Sequence, residues 1–164
     1  MPVNLSMVSR WEAFHIIAPV VTEVMETIVI PKARVIDPTD AGGWFFFCRD
    51  DPNQVLVPLF GLSVGDPPAA NFPRYTTNAG RKWKSLADNP ASLSSWEVRD
   101  ESAGIFGGAI RVIGGVFFIS GLPEHFDEMG MILCAERLRL INPESVGRII
   151  QISDNQPYRD YVHS

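Results

Sequence analysis

The sequence predicts an α+β fold, an α/β sandwich with a central antiparallel sheet and helices packed on its faces. Three observations carry this. Apolar residues recur at three- and four-residue steps near both ends of the chain, which marks amphipathic helices. Short β-prone runs lie next to one another, separated by turn formers, which favours antiparallel neighbours. Strands and helices do not alternate regularly, so a parallel, doubly wound sheet is disfavoured.

The elements follow in order. Ser9 and Glu12 have capping-box spacing, and Trp11, Phe14, Ile17, Val21, Val24 and Ile28 give a helical stripe that Pro31 should close. Pro19 should kink that helix. Arg34-Val35-Ile36 is short and β-prone, and residues 37–43 are dense in turn formers. Residues 44–48 and 55–59 read as a hairpin around the polar turn 49–54. Residues 63–73, rich in proline, read as an ordered loop or a flap over a site. Residues 75–87 suit a helix ending before Asn89-Pro90, with Arg81, Lys82 and Lys84 as a basic face. Residues 91–102 are polar and weakly patterned, although Leu93 and Trp96 can pin them to the body. Residues 109–113 and 116–120 form the best hairpin, around Gly114-Gly115. Pro123 then opens a helix with Glu124, Asp127 and Glu128 in its first turns, and its stripe runs through Phe126, Met129, Ile132, Leu133, Leu138 and Ile141. Val146, Ile149 and Ile150 suit a last short helix before a polar tail.

With 164 residues, 46% of them apolar, the chain fits one domain spanning 1–164 with a buried core. A net charge of -5 lacks the basic footprint of a nucleic-acid binder. No continuous apolar run reaches the roughly 20 residues of a membrane span, and the N-terminus shows no secretory pattern. The expectation is a cytoplasmic protein with neither nucleic acid nor membrane as partner. Cys48 and Cys134, the only cysteines, read as buried small hydrophobes rather than a disulfide framework or zinc motif.

Three segments, taken in order, resemble the GlcG/HbpS-like family, also called DUF336 or heme-binding HbpS-like. Asp40-Ala41-Gly42-Gly43 with Arg49-Asp50-Asp51 is similar to the family's Val-Asp-x-x-Gly turn and downstream Arg-x-Asp. Asn78-Ala79-Gly80-Arg81-Lys82-Trp83 resembles the family's Lys-Ala-x-Thr-Ala helix, with Trp83 where a small residue is usual. Phe106-Gly107-Gly108-Ala109-Ile110 through Ser120-Gly121 to Asp127-Glu128 resembles its Gly-Gly, strand, tight turn, Ser-Gly and Asp-Glu sequence. The family-like core spans about 9–141, with 142–164 as an extra C-terminal segment. The resemblance implies a sandwich that assembles into homo-oligomers, with a ligand pocket associated with subunit contacts and heme or another tetrapyrrole as one ligand class. It brings no universal catalytic constellation.

Among individual residues, the histidines are His15, His125 and His163, too few for a histidine-rich metal site in one chain, and no metal site is expected. His125, at a helix entrance beside Asp127 and Glu128, is the candidate heme-iron ligand; its alternative is a partly exposed first-turn histidine. His15 reads as a helix position near an interface, and His163 as part of a frayed tail. Gly107-Gly108 and Gly114-Gly115 lack the context of a phosphate loop, and Ser120-Gly121 lacks the Gly-x-Ser-x-Gly of a nucleophile elbow. Asp37, Asp40, Asp50 and Asp51 lack the calcium-loop pattern and read as solvated turn carboxylates. Arg49, Lys82 and Trp83, with His125, are ligand-binding candidates: cationic clamps and an aromatic wall. Tyr75, Arg81 and Arg111 are candidate catalytic residues. The alternative for this set is a basic helix face with Trp83 packed inward.

The leading expectation is a small-molecule-binding protein, with heme as the possible cofactor. The rivals are a cofactor-independent isomerase or cyclase acting on an apolar molecule in a biosynthetic pathway, and a purely structural oligomer.

Overall fold

The computed structural model describes residues 3–51 and 56–164. At the N-terminus the capping box forms in full. The Ser9 hydroxyl accepts from the Glu12 amide, and the Glu12 carboxylate accepts from the Ser9 amide at 2.7 Å. Helix α1 (Arg10–Val24) carries Pro19 inside it, widens into a π-helical turn at Met25–Val29, and continues as α2 (Ile30–Ile36). Pro31 therefore does not close the helix. It sits in the first turn of α2, just after the widened turn, where a missing amide costs least. Residues 34–36 are helical rather than extended for the same reason: they complete the turn that Pro31 starts.

Four strands follow: β1 (Gly42–Asp50), β2 (Leu56–Gly65), β3 (Ala109–Val112) and β4 (Gly115–Ser120). They form one antiparallel sheet in the order β2-β1-β4-β3. Both expected hairpins are present. The first is longer than expected, and most of its turn lies outside the described residues. The second pivots on Gly114, whose φ of 89° suits glycine.

Alternation along the strands gives the sheet two apolar faces. Phe45, Phe47, Phe117, Ile119, Ile110 and Val112 point to the larger core, which α1, the π-helical turn and α4 (Glu124–Arg137) complete. Cys48, Val116, Phe118 and Ala109 point to a smaller cluster with Ala79 and Leu86 of α3 (Phe72–Asp88), and Phe46 and Trp83 pack against it. Burial pushes the Cys48 thiol up to about 12, and the Cys134 thiol is raised by burial too, as expected of packed thiols.

Three segments differ from expectation. Residues 63–73 are not one loop: β2 runs to Gly65, a 3-10 turn occupies Ala69–Asn71, and Pro73 opens α3 as a first-turn proline. The expected last short helix is present as α5 (Pro143–Ser153), capped by Asn142, but the tail after it is helical too, as α6 (Gln156–Val162) capped by Asn155. Val146, Ile149, Ile150 and Tyr158 join the larger core, which the polar spacing had concealed. The run Arg10–Ile36 is long and apolar enough to cross a membrane, although it interleaves charges such as Glu23 and Glu26 with its apolar residues. Its inner stripe, Ala13, Ile17, Val21, Val24, Met25 and Val29, is buried against the sheet and α4.

Candidate functional site

Helix α3 crosses the smaller face of the sheet with Tyr75, Asn78 and Lys82 on one stripe. This i, i+3, i+7 spacing aims all three at the end of β4, where the chain turns into α4. A cleft of about 440 Å³ opens there. Its walls are Tyr75, Asn78 and Lys82 from α3, Ser120 at the end of β4 and residues 121–123 after it, Glu124 and Asp127 from the first turns of α4, Phe106, and Asp40 from the turn before β1.

A buried ion pair forms part of the cleft wall. Lys82, only 2% exposed, donates from Nζ to the Ile119 carbonyl at 2.7 Å and to Asp127 Oδ2 at 3.0 Å. The other carboxylate oxygen of Asp127 accepts from the Leu122 amide at 3.1 Å. Burial raises the Asp127 carboxyl to about 6, with Lys82 pulling against that rise. The pair also explains Gly108, at φ 117°: a Cβ there would lie 2.7 Å from Lys82 Nζ and 2.8 Å from Asp127 Cβ. Gly107 is constrained likewise, since its Cβ would strike Trp96.

A second pair closes one side. Arg99 donates from Nε and Nη2 to the two oxygens of Glu124, each at 2.8 Å, and Glu124 Oε1 also accepts from the Gly107 amide at 2.7 Å. Burial pushes the Glu124 carboxyl up, but the bonds from Arg99 and Gly107 more than reverse this and hold it below its ordinary value. These contacts fasten the segment carrying Phe106 to α4. Asp40, half-buried, differs from both: its Oδ2 is shielded from water and has no hydrogen-bond partner. Burial raises its carboxyl, Asp37 adds to the rise, and Arg34 opposes it. It is not the solvated turn carboxylate that the sequence suggests.

Of the residues singled out from sequence, the cleft gathers Tyr75 and Lys82. Lys82 is not part of an exposed basic face, because it lies on the inward stripe with Ala79 and Leu86, a signal present in its spacing. Tyr75 is half-buried against Trp44, with ring centroids 5.6 Å apart. Trp83 packs on the smaller cluster beside the sheet, its indole N–H buried without a partner. Arg81 is exposed on α3 and passes close to Gly104. Arg49 donates to the Val8 carbonyl at 2.6 Å and so ties down the N-terminal segment. Arg111 clasps the Ser92 and Leu86 carbonyls at 3.1 and 2.7 Å.

His125 faces elsewhere. Its Nε2 is 2.9 Å from the Ser153 carbonyl, and its ring stacks on Trp96 with centroids 4.8 Å apart. A carbonyl partner requires the proton on Nε2, which removes that nitrogen as an iron ligand. With no histidine lining the cleft, the residues present do not fit a heme ligated by His125 there.

Sequence reasoning also missed Glu128. Fully buried in α4, it accepts from Ser153 and Asn155 on one oxygen and from Ser94 on the other, joining α5, the α6 cap and the segment before β3. Burial raises its carboxyl against those three hydrogen bonds. Its helical phase, between Phe126 and Met131 on a helix buried nearly all round, was the available signal.

No family model matches the chain, and no curated protein matches it. Among solved structures, the crystal structure of Klebsiella pneumoniae protein ORFY, of the DUF336 family, is similar at 15% identity with a TM-score of 0.45, covering 82% of this chain and 92% of that one. DUF336 is the family that the sequence motifs resemble, and a likeness at this level transfers no residue's role.

Proposed function

We propose that this protein binds a small molecule in the cleft between α3 and the β4–α4 turn. The observation that supports the reading is the Lys82–Asp127 pair in the wall of an open, mixed polar and aromatic cleft. Burying two charges is expensive, and apolar residues of similar volume would hold α3 to α4 at less cost. Such a pair beside a cleft of ligand-sized volume is more economically explained by a site than by stability. Asp127 is itself only 1% exposed, so the pair shapes the cleft while Tyr75, Asn78 and Asp40 are left to meet a ligand.

The enzyme reading, a cofactor-independent isomerase or cyclase, has one favourable observation: the cleft wall holds both Tyr75 and a carboxyl, that of Asp127, raised to about 6. Arg81 and Arg111 lie outside it. A homo-oligomer in the cytoplasm completes the proposal, supported by Trp11, 64% exposed, and by cysteines that are free and buried.

The test is a thermal-shift screen of a metabolite library on the wild type and on Asn78→Trp, which fills the cleft from α3. Compounds should stabilise the wild type and not the variant. Equal shifts in both, or none in the wild type, would overturn the reading.

A further inference from the structure

We infer that the cleft receives a ligand bearing a protonated amine or a comparable cationic donor, and that Asp40 is the residue that accepts it. This deepens the small-molecule reading and rests on it. All but one of the charged groups in the cleft wall stand in ion pairs. Lys82 is matched by Asp127 at 3.0 Å, and Glu124 is matched by Arg99 at 2.8 Å. Asp40 is the remaining charged group, and among the described residues no ion pair involves it. The nearby Arg34 donates from Nε to the main-chain oxygen of Asp40, at 2.7 Å, and acts on the carboxylate only through its charge, with no ion pair formed.

Asp40 lines the cleft as a half-buried carboxylate, and its Oδ2 has no protein donor. A half-buried carboxylate with an oxygen lacking a donor is under-satisfied, and a ligand N–H in the cleft would supply it with a charge-assisted bond. An anionic ligand has no equivalent reception. The only ammonium in the wall is 2% exposed and already donates to Ile119 and Asp127, while three carboxylates line the same cleft. Tyr75 and Phe106 add aromatic surface, which suits a cation on an apolar body.

Three probes of one shape separate the possibilities: benzylamine, benzyl alcohol and benzoate, each titrated into the full-length protein while amide resonances are followed by NMR. Benzylamine should move the amides of Tyr75, Asn78 and Gly121 and bind about tenfold or more tightly than the other two. Asp40→Asn should reduce benzylamine to the affinity of benzyl alcohol, with the remaining amide spectrum unchanged, and Asp40→Ala should do the same. Benzoate or benzyl alcohol binding in the cleft as well as benzylamine, or a preference that survives both substitutions, overturns the inference and leaves the cleft reading standing. Cleft amides that respond to none of the three overturn both.

Discussion

Among the described residues Lys82 and Asp127 are each other's only ion-pair partner within contact distance, in a nearly dry setting, so removing one leaves the other largely uncompensated. Lys82→Met should cost about 3–5 kcal/mol, which for a chain of this size lowers Tm by on the order of 10 °C. Adding Asp127→Leu should restore most of that loss; a single variant that unfolds with the wild type would show the pair to be idle. The carboxyl of Asp127 also sets a pH dependence. Raised from 3.8 to about 6 in the folded state, it binds a proton more tightly there than in the unfolded chain. Its contribution to stability is therefore complete below about 3.8 and declines as pH rises to about 6. Glu128, raised by the same cause, slopes the same way. In urea unfolding between those pH values, Asp127→Asn should flatten part of the slope, and an unchanged slope would contradict the assignment. Lys82 was visible in the sequence as a candidate, but its burial was not, because adjacent cations at 81, 82 and 84 suggest a solvated face until the helical phase is applied. Asp40 was not legible at all: whether a turn carboxylate is wet depends on what packs over it, and that is a property of α3 and β4.

At the level of elements, helix entrances and tight turns were readable because their signals are local: the Ser9 capping box, Pro123 and Gly114 each act within a few residues. The course of the N-terminal helix past Pro31 was not, because a π-helical turn depends on what the helix packs against. That turn meets α4 where Gly130 sits, and a Cβ at 130 would lie 2.4 Å from Met25 Sδ. Gly130→Val should therefore wedge the two elements apart, at about 1–3 kcal/mol, and Met25→Ala in the same chain should recover part of it. Chemical denaturation of the three proteins checks this, and a neutral Gly130→Val would mean that the crossing is looser than described. Helices α5 and α6 escaped notice as core elements because their apolar residues are few; their capping asparagines at 142 and 155 were the better signal.

For the whole molecule, the sheet with helices on both faces was legible from the order of elements, whereas the site was not, since it assembles residues from four separated segments. The apolar face of α4 offers no surface for assembly, because it is buried within the chain at Met129, Ile132 and Leu133. Trp11 remains exposed, and Val35 and Ile36 at the end of α2 join it, 84% and 73% exposed. Light scattering at micromolar concentration should give a multiple of 18.2 kDa; the monomer mass would contradict the oligomer. The central claim is the cleft itself, and crystallographic fragment screening addresses it most directly. Bound fragments should gather between α3 and the β4–α4 turn, touching Tyr75, Asn78 and Asp40. Fragments that leave this cleft empty while occupying the groove beside Val35, Ile36 and Phe126 would contradict the account.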